Sequence, residues 1–451
     1  MRQFLMSLLM PLALAAALVP QANASVQYSL DDEQQIARLH DLTLSRQLLD
    51  IFLSKQKKAA AASGKQPTLQ LILQQLLDDA LMAEHARSLM TADELAPASR
   101  VGFAPEVERH NQLVSLLRGY FNDAILASVQ QLPGQNFSSL VQWNSALDAA
   151  WLNQNFALKP GLTIDMTDEQ RTLAAQTPVL STELADGGNV TLLDIMQRQN
   201  VQGRLALLSG NLEYLQDQTR QYVGGLYVLH WSRQQLGAAD WQTLQQILVN
   251  QQQRQRLLEH MGIYADIHDD NPALRARAGA IPQARLNKAW EHHKDDFRVV
   301  EKVRARHVQV ATQELADQVV AELKNGLSFE DAISRYSQAA DKQSGGALGW
   351  LKRGEQDHAW LHSVAFIQPI GKPSAAFRSP EINGVVVYEI LHIDERIEGY
   401  LPVTDAGVRY ELAHELARED LQQELKDLQV ALREKAAIQL NRRLQPAAAG
   451  I

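Results

Sequence analysis

The sequence predicts an α+β chain: a mainly helical domain, built from the N-terminal region and a long C-terminal helix, with a small α+β domain inserted between them. Three observations predict it. From Asp31 to about Asp269 apolar residues recur at spacings of three and four, as in Leu69, Ile72, Leu73, Leu76, Leu77, Ala80 and Leu81, and again in Tyr222, Val223, Leu226 and Leu229. After Glu301 the pattern changes to β-branched alternation interrupted by short helical runs. From Thr404 to Ala437, Val408, Leu412, Leu416, Leu421, Leu425, Leu428 and Leu432 fall on one helical face, a stripe that must be buried, and the preceding helical region is the available partner.

Taken in order, residues 1–24 read as a secretion signal. Arg2 supplies the positive n-region, Phe4 to Val19 is almost wholly apolar, and Ala22-Asn23-Ala24 offers the small-x-small pattern that signal peptidase reads, so cleavage is expected after Ala24. The apolar run is shorter than the ~20 residues a membrane anchor needs and contains Pro11. Residues 25–270 form the helical domain, punctuated by Pro97, Pro105, Pro133-Gly134, Lys159-Pro160-Gly161 and Asp186-Gly187-Gly188-Asn189. Residues 271–299 make a linker helix. Residues 300–396 hold the α+β domain: a strand over Glu301–Val310, helices over Ala311–Leu323 and Phe329–Tyr336, a loop at Gly345–Gly349, and a strand over Val385–Ile390. Residues 397–451 return as the C-terminal helix.

Composition narrows the function. With 43 Lys and Arg against 52 Asp and Glu, net −9, the chain lacks the basic footprint that nucleic-acid binding requires. Hydrophobic residues at 45% support a folded chain rather than a disordered one. Cysteine is absent, so an exported product forms no disulfide, carries no thiol chemistry and cannot be a lipoprotein. Neither a P-loop, a G-x-S-x-G elbow nor a dinucleotide fingerprint occurs, and His414-Glu415 lacks the second histidine of a zincin helix. His292-His293 and the run Asp266–Asp270 are better read as solvated side chains than as metal ligands, because adjacent histidines do not share a helical face. No cofactor and no metal are expected.

Val303-Arg304-Ala305-Arg306-His307-Val308, Gly326-Leu327-Ser328-Phe329, Tyr336-Ser337, Gly345-Gly346-Ala347-Leu348-Gly349-Trp350 and Asn383-Gly384 before a strand occur in an order and spacing that resemble a parvulin domain. The helix from Arg285 to Val299 with Trp290, and the helical region with its returning C-terminal helix, are similar to exported folding factors of the SurA and PrsA type. The resemblance implies a parvulin-like domain inserted in a chaperone-like helical domain, peptidyl-prolyl cis-trans isomerase chemistry, and a periplasmic location. It also implies unfolded or partly folded exported proteins as clients, outer-membrane proteins among them, with no nucleic acid and no stable membrane insertion. The physical task suits a chain without nucleophile or cofactor: rotation about the peptide C–N bond faces ~18–20 kcal/mol of resonance, and an apolar pocket with polar groups that favour the twisted amide lowers it.

Carried over residue by residue, the resemblance makes His307 the catalytic candidate and Leu348, Gln356, Trp360, Leu361, Phe366 and Asn383 the substrate-binding set. Trp360 or Leu361 falls at the aromatic wall of the proline pocket, and Gln356 near the family's pocket methionine. Two polar family positions are apolar, Ala339 after the Tyr-Ser pair and Val386 where a strand histidine is usual. Asp341 could supply a carboxylate only by a different loop path. His392 sits roughly 20 Å beyond Val386 along an extended chain and cannot replace the missing histidine. His307 on a strand is equally readable as a buried, satisfied histidine. The two apolar replacements imply weak or lost turnover, and three readings follow: an exported parvulin-type prolyl isomerase, a non-catalytic chaperone that uses a degenerate parvulin domain to bind clients, and a periplasmic assembly factor dedicated to one partner system.

Overall fold

The structure, a computed structural model, describes residues 26–60, 66–99, 101–156, 165–264, 271–354, 359–381 and 384–445. The signal segment 1–24, the Asp266–Asp270 run, Gln356 and Asn383 lie outside the described residues. The expected α+β class holds. Two compact units are present, one made of residues 1–271 and 421–451, the other of residues 272–420.

The first unit begins with β1 (Gln27–Leu30), β2 (Gln35–Leu39) and β3 (Leu42–Ser45), followed by α1 (Arg46–Ala60), α2 (Leu69–Leu89), α3 (Ala92–Leu95) and α4 (Pro105–Gln130). Next come β4 (Gln142–Trp143), α5 (Ala149–Phe156), α6 (Asp168–Gln176), β5 (Pro178–Ser181), β6 (Asn189–Thr191), α7 (Leu192–Gln197), α8 (Val201–Leu208) and α9 (Leu212–Met261). Local chemistry fixes the helix starts: Thr91, Thr167 and Thr191 each accept from the third residue of the helix that follows, and the residue there reaches back to the threonine N–H. The three-four spacing read from sequence becomes one core in which Ile72, Leu73, Leu76 and Leu77 of α2 pack with Leu116 and Leu117 of α4 and Leu244, Ile247 and Leu248 of α9. α9 is interrupted at Gly237, whose φ of 73° is open to glycine and strained for other residues.

The second unit contains α10 (Pro272–Ala280), α11 (Gln283–His293), β7 (Arg298–Val310), α12 (Gln313–Lys324), α13 (Phe329–Tyr336), β8 (Ala347–Lys352), α14 (Ala359–Ala365), β9 (Phe377–Arg378) and β10 (Tyr388–Tyr400). Its antiparallel sheet has the order β8-β7-β10-β9. One face is covered by α12 and α13 through Val308, Val310, Val319, Phe329, Ile333 and Ile390; the other carries Val303, Ala305, Leu391 and Ile393 beneath Leu361 and Ala365 of α14. The final helix, α15 (Ala406–Lys435), belongs to both units. Val408, Leu412 and Leu416 pack with Leu286 and Phe297, while Leu425, Leu428 and Leu432 pack with Met82, Met90 and Leu257. The apolar stripe is therefore divided between two partners rather than buried on the helical region alone.

Three expectations need correction. The region read as helical holds short strands: β1, β2 and β3 form a sheet with β11 (Ile438–Asn441) in the order β1-β11-β2-β3, and β4, β5 and β6 form another. β11 runs parallel to β1 and antiparallel to β2, with Asn441 Nδ2 donating to the carbonyls of Asp32 and Gln35 at 2.8 and 2.9 Å. The second half of the Gly345–Gly349 loop is strand β8, because Ala347 and Gly349 pair with Arg306 and Ala305. The strand placed at Val385–Ile390 starts later, at Tyr388, and runs to Tyr400 as a long partner of β7. No helix among the described residues is long and apolar enough to cross a membrane.

Candidate active site

Antiparallel pairing sets Gln309 of β7 opposite Glu389 of β10 and His307 opposite Leu391, so His307, Gln309 and Glu389 share the sheet face that α14 covers. His307 is 6% exposed and Glu389 1%. His307 Nδ1 lies 2.7 Å from Glu389 Oε2, and Gln309 Nε2 donates to Glu389 Oε1 at 2.7 Å. Both oxygens of a carboxylate that is almost fully removed from water are thus satisfied.

The loop after α13 brings the third member. Ser337 Oγ accepts from the N–H groups of Gln309 and Ala339, both at 3.3 Å, and the Gln338 N–H donates to the Gln309 carbonyl at 2.7 Å, which ties the start of the loop to β7. Gly345 and Gly346, at φ of 70° and 62°, turn the chain back so that the Gly346 carbonyl accepts the His307 N–H at 2.9 Å. A Cβ at Gly346 would stand 2.3 Å from the His307 carbonyl oxygen, so only glycine permits this approach. Between those anchors Asp341 reaches His307 Nε2, with both carboxylate oxygens at 3.1 Å.

Burial by itself disfavours a charged imidazole, but the hydrogen bond and charge of Glu389, with those of Asp341, outweigh it and raise the His307 pKa. An imidazolium donating Nδ1–H to Glu389 and Nε2–H to Asp341 satisfies both carboxylates. Two carboxylates and one imidazolium leave one net negative charge, and Asp341, with its side chain 29% exposed, is the member that meets solvent.

On the same face stands an apolar wall. Leu348, Trp360, Phe366 and Phe377 are partly buried against Val303, Ala305, Leu391 and Ile393, and the Trp360 and Phe377 rings meet edge-on at 5.7 Å. Leu361 is buried in the core beneath this wall, and Trp360 Nε1 is buried without a hydrogen-bond partner among the described residues. His307, Leu348, Trp360 and Phe366 are therefore brought to one sheet face, Leu361 lies below its surface, and Gln356 and Asn383 lie outside the described residues.

Sequence reasoning placed the partner of His307 at Val386, which precedes β10; the residue that faces the imidazole is Glu389. The signal was a carboxylate in the run Tyr388-Glu389-Ile390-Leu391, flanked by residues that must be buried on both faces. Asp341, which the sequence offered as a substitute carboxylate, reaches the imidazole. His392 faces the other side, its ring 5.0 Å from that of Phe329 and its Nδ1 3.0 Å from Asp394 Oδ1.

Residues 295–382 match a family model described as the PPIC-type PPIASE domain. Among curated proteins the chain is similar to the foldase protein PrsA of Bacillus subtilis (strain 168), 28% identical over 149 residues, which is 33% of this chain and 44% of that protein. It is also similar to the foldase protein PrsA of Caldanaerobacter subterraneus subsp. tengcongensis, 27% identical over 127 residues, 27% of this chain and 40% of that protein. The chain spans less than half the length of these curated relatives. Among solved structures, a PpiC-type peptidyl-prolyl cis-trans isomerase domain aligns at 25% identity over 23% of this chain and 97% of its own, with a TM-score of 0.19. A structure described under the SurA-like chaperones PEB4 and Cj1289 of Campylobacter jejuni aligns at 17% identity over 56% of this chain and 98% of its own, with a TM-score of 0.21.

Proposed function

We propose that this chain, which carries a PPIC-type peptidyl-prolyl isomerase domain over residues 295–382 and resembles folding factors of the PrsA and SurA type, is an exported folding factor that isomerises prolyl bonds in unfolded polypeptides. The observation that carries this reading is the Asp341–His307–Glu389 network on the same sheet face as Leu348, Trp360, Phe366 and Phe377. A planar amide draws negative charge onto its carbonyl oxygen, and twisting the C–N bond withdraws it. A proline ring seated on the apolar wall loses water, and a carbonyl beside the net negative network favours the twisted form over the planar one. Each 1.36 kcal/mol of that difference is tenfold in rate. His307 acts as the positioning residue that holds Asp341, and Asp341 is the group that meets substrate.

The signal-like residues 1–24 support export to the periplasm, where unfolded secreted and outer-membrane polypeptides are the clients that the reading assigns. One observation favours the non-catalytic alternative: both imidazole nitrogens are occupied by carboxylates, which leaves neither free for a substrate. Prolyl isomerisation of a proline tetrapeptide series by the mature chain, beside Asp341→Asn, separates the two. Acceleration by the parent chain that drops in the variant supports the enzyme. Absence of acceleration by the parent chain makes the domain a binding module, with suppression of client aggregation as its defining assay.

A further inference from the structure

The helical unit contains a second feature that the isomerase chemistry does not use. Between α1, α4, α7 and α9 lies an open cleft of about 1150 Å³, and a neighbouring one of about 460 Å³ adjoins it through Ser54, Lys58, Asn111, Ser115, Gly119 and Tyr120. Together they make a groove larger than a small-molecule site, whose usual range is ~300–1000 Å³. Its charge is opposite to that of the chain. Lys55, Lys58, Arg118 and Arg198 line it against one acid, Asp123, in a protein with nine more acids than bases.

None of the four cations forms an ion pair among the described residues. Lys58 Nζ donates to the Gly119 carbonyl at 2.6 Å, and Arg198 donates to the Tyr222 hydroxyl at 3.0 Å while lying 4.0 Å over its ring. His110, beside them, is pushed down to about 4 by burial and by Arg198, so it adds no charge at neutral pH. Phe103, Tyr120, Phe121 and Tyr222 line the same groove as these cations, and Asn111, Gln218 and Gln221 supply amide side chains, whereas the amide of buried Gln199 is held by the Ile195 carbonyl and the Tyr214 hydroxyl. Such amides present both a donor and an acceptor, the complement of a peptide group. α4 departs from helical geometry at Phe121, within the wall of the groove.

We infer that this groove binds an extended polypeptide segment that carries carboxylates next to aromatic residues, and so makes the helical unit a selector of acidic client segments. Charge complementarity and the peptide-like amides name this occupant; its identity as a client rests on the function proposed above. Cation–carboxylate pairs set the selectivity and make it salt-dependent, and aromatic faces supply the apolar contact.

The test is isothermal titration of the full mature chain with a proline-free peptide of alternating glutamate, phenylalanine and glycine, and with its lysine-for-glutamate counterpart. Expected are binding of the acidic peptide, weakening as salt rises, and at least about tenfold weaker binding of the basic one. The double variant Lys55→Glu/Arg118→Glu is expected to lose the acidic preference, and Lys55→Gln/Arg118→Gln to weaken it; both residues are exposed, and retained thermal midpoints confirm folded protein. Equal binding of the two peptides, no binding, or binding unchanged in the folded charge-reversed variant overturns the inference. Complete displacement by inorganic phosphate or by phosphatidylglycerol vesicles overturns it in favour of a simple anion or lipid site. Acidic-peptide selectivity in a chain that shows no prolyl isomerisation upholds the groove and removes the catalytic reading, whereas isomerisation without selectivity does the reverse.

Discussion

Replacing His307 by alanine removes the cation from a carboxylate that is 1% exposed. Glu389 then retains only Gln309 Nε2 on Oε1, and Oε2 faces a space with no donor. Breaking a buried ion pair from one side costs ~3–5 kcal/mol, because the uncompensated charge stays behind. At 1.36 kcal/mol per tenfold, amides of β7 and β10 that exchange by opening of this domain are expected to lose on the order of 10²–10⁴ in hydrogen-exchange protection. The double variant His307→Leu/Glu389→Leu removes both charges and fills the space, and it is expected to recover most of that protection. Loss of less than tenfold in His307→Ala would refute the reasoning, since Glu389 would then not depend on the imidazolium. The magnitude also decides how catalysis is tested: loss of turnover in His307→Ala confounds chemistry with folding. Asp341→Asn instead leaves the buried His307–Glu389 pair in place and acts at a side chain that is 29% exposed.

Asp79 of α2 is 3% exposed and 3.2 Å from Arg254, yet burial pushes its pKa up to about 6 from the ordinary aspartate value of 3.8. The folded state then binds the proton more tightly than the unfolded state, so this group adds stability as pH falls from about 6 toward 3.8. The expected gain is ~1–2 kcal/mol between pH 7.5 and 5, read as the difference in urea midpoints between the parent chain and Asp79→Asn; equal pH slopes would refute it. His307 titrates with the sign that belongs to a cation. Its raised pKa contributes stability that is complete below the ordinary imidazole value and is lost as pH rises through the folded value, so β7 protection should decline on the alkaline side, and at lower pH in Asp341→Asn. Gly346→Ala places a Cβ 2.3 Å from the His307 carbonyl and should cost at least ~2 kcal/mol by thermal unfolding. Gly345→Ala, at φ 70° with nothing within 4 Å of the added Cβ, should cost only the ~1–2 kcal/mol of a left-handed alanine.

What was legible in the sequence was whatever local chemistry fixes. Phe329–Tyr336 is a helix because Ser328 caps it and Phe329, Ala332 and Ile333 share a buried face. His307, Leu348, Trp360 and Phe366 reach one sheet face through strand alternation and the helix that follows. What escaped depends on partners distant in the chain. β1, β2 and β3 have four or five residues each, too few for a periodic signal, and β11 has meaning only beside them. Glu389 becomes the partner of His307 through the register of β7 and β10, which counting from Gly384 cannot supply. Asp341 reaches the imidazole through two consecutive left-handed glycines, a path no residue count measures.

The placement of β11 between β1 and β2 sets an order of events for a chain that emerges N-terminus first. Asn441 closes on Asp32 and Gln35 across sequence separations of 409 and 406 residues, so this sheet must wait until residue 441 has arrived. Residues 272–420 are contiguous and have no such wait. During synthesis the unit that carries the PPIC-type domain can mature first, while the strands of the first unit still lack their central partner and expose open edges. A chain ending at residue 437 should therefore retain exchange protection in β7 and β10 and lose it in β1 and β2. The newly made molecule thus passes through a stage in which its own unpaired strand edges are open to aggregation.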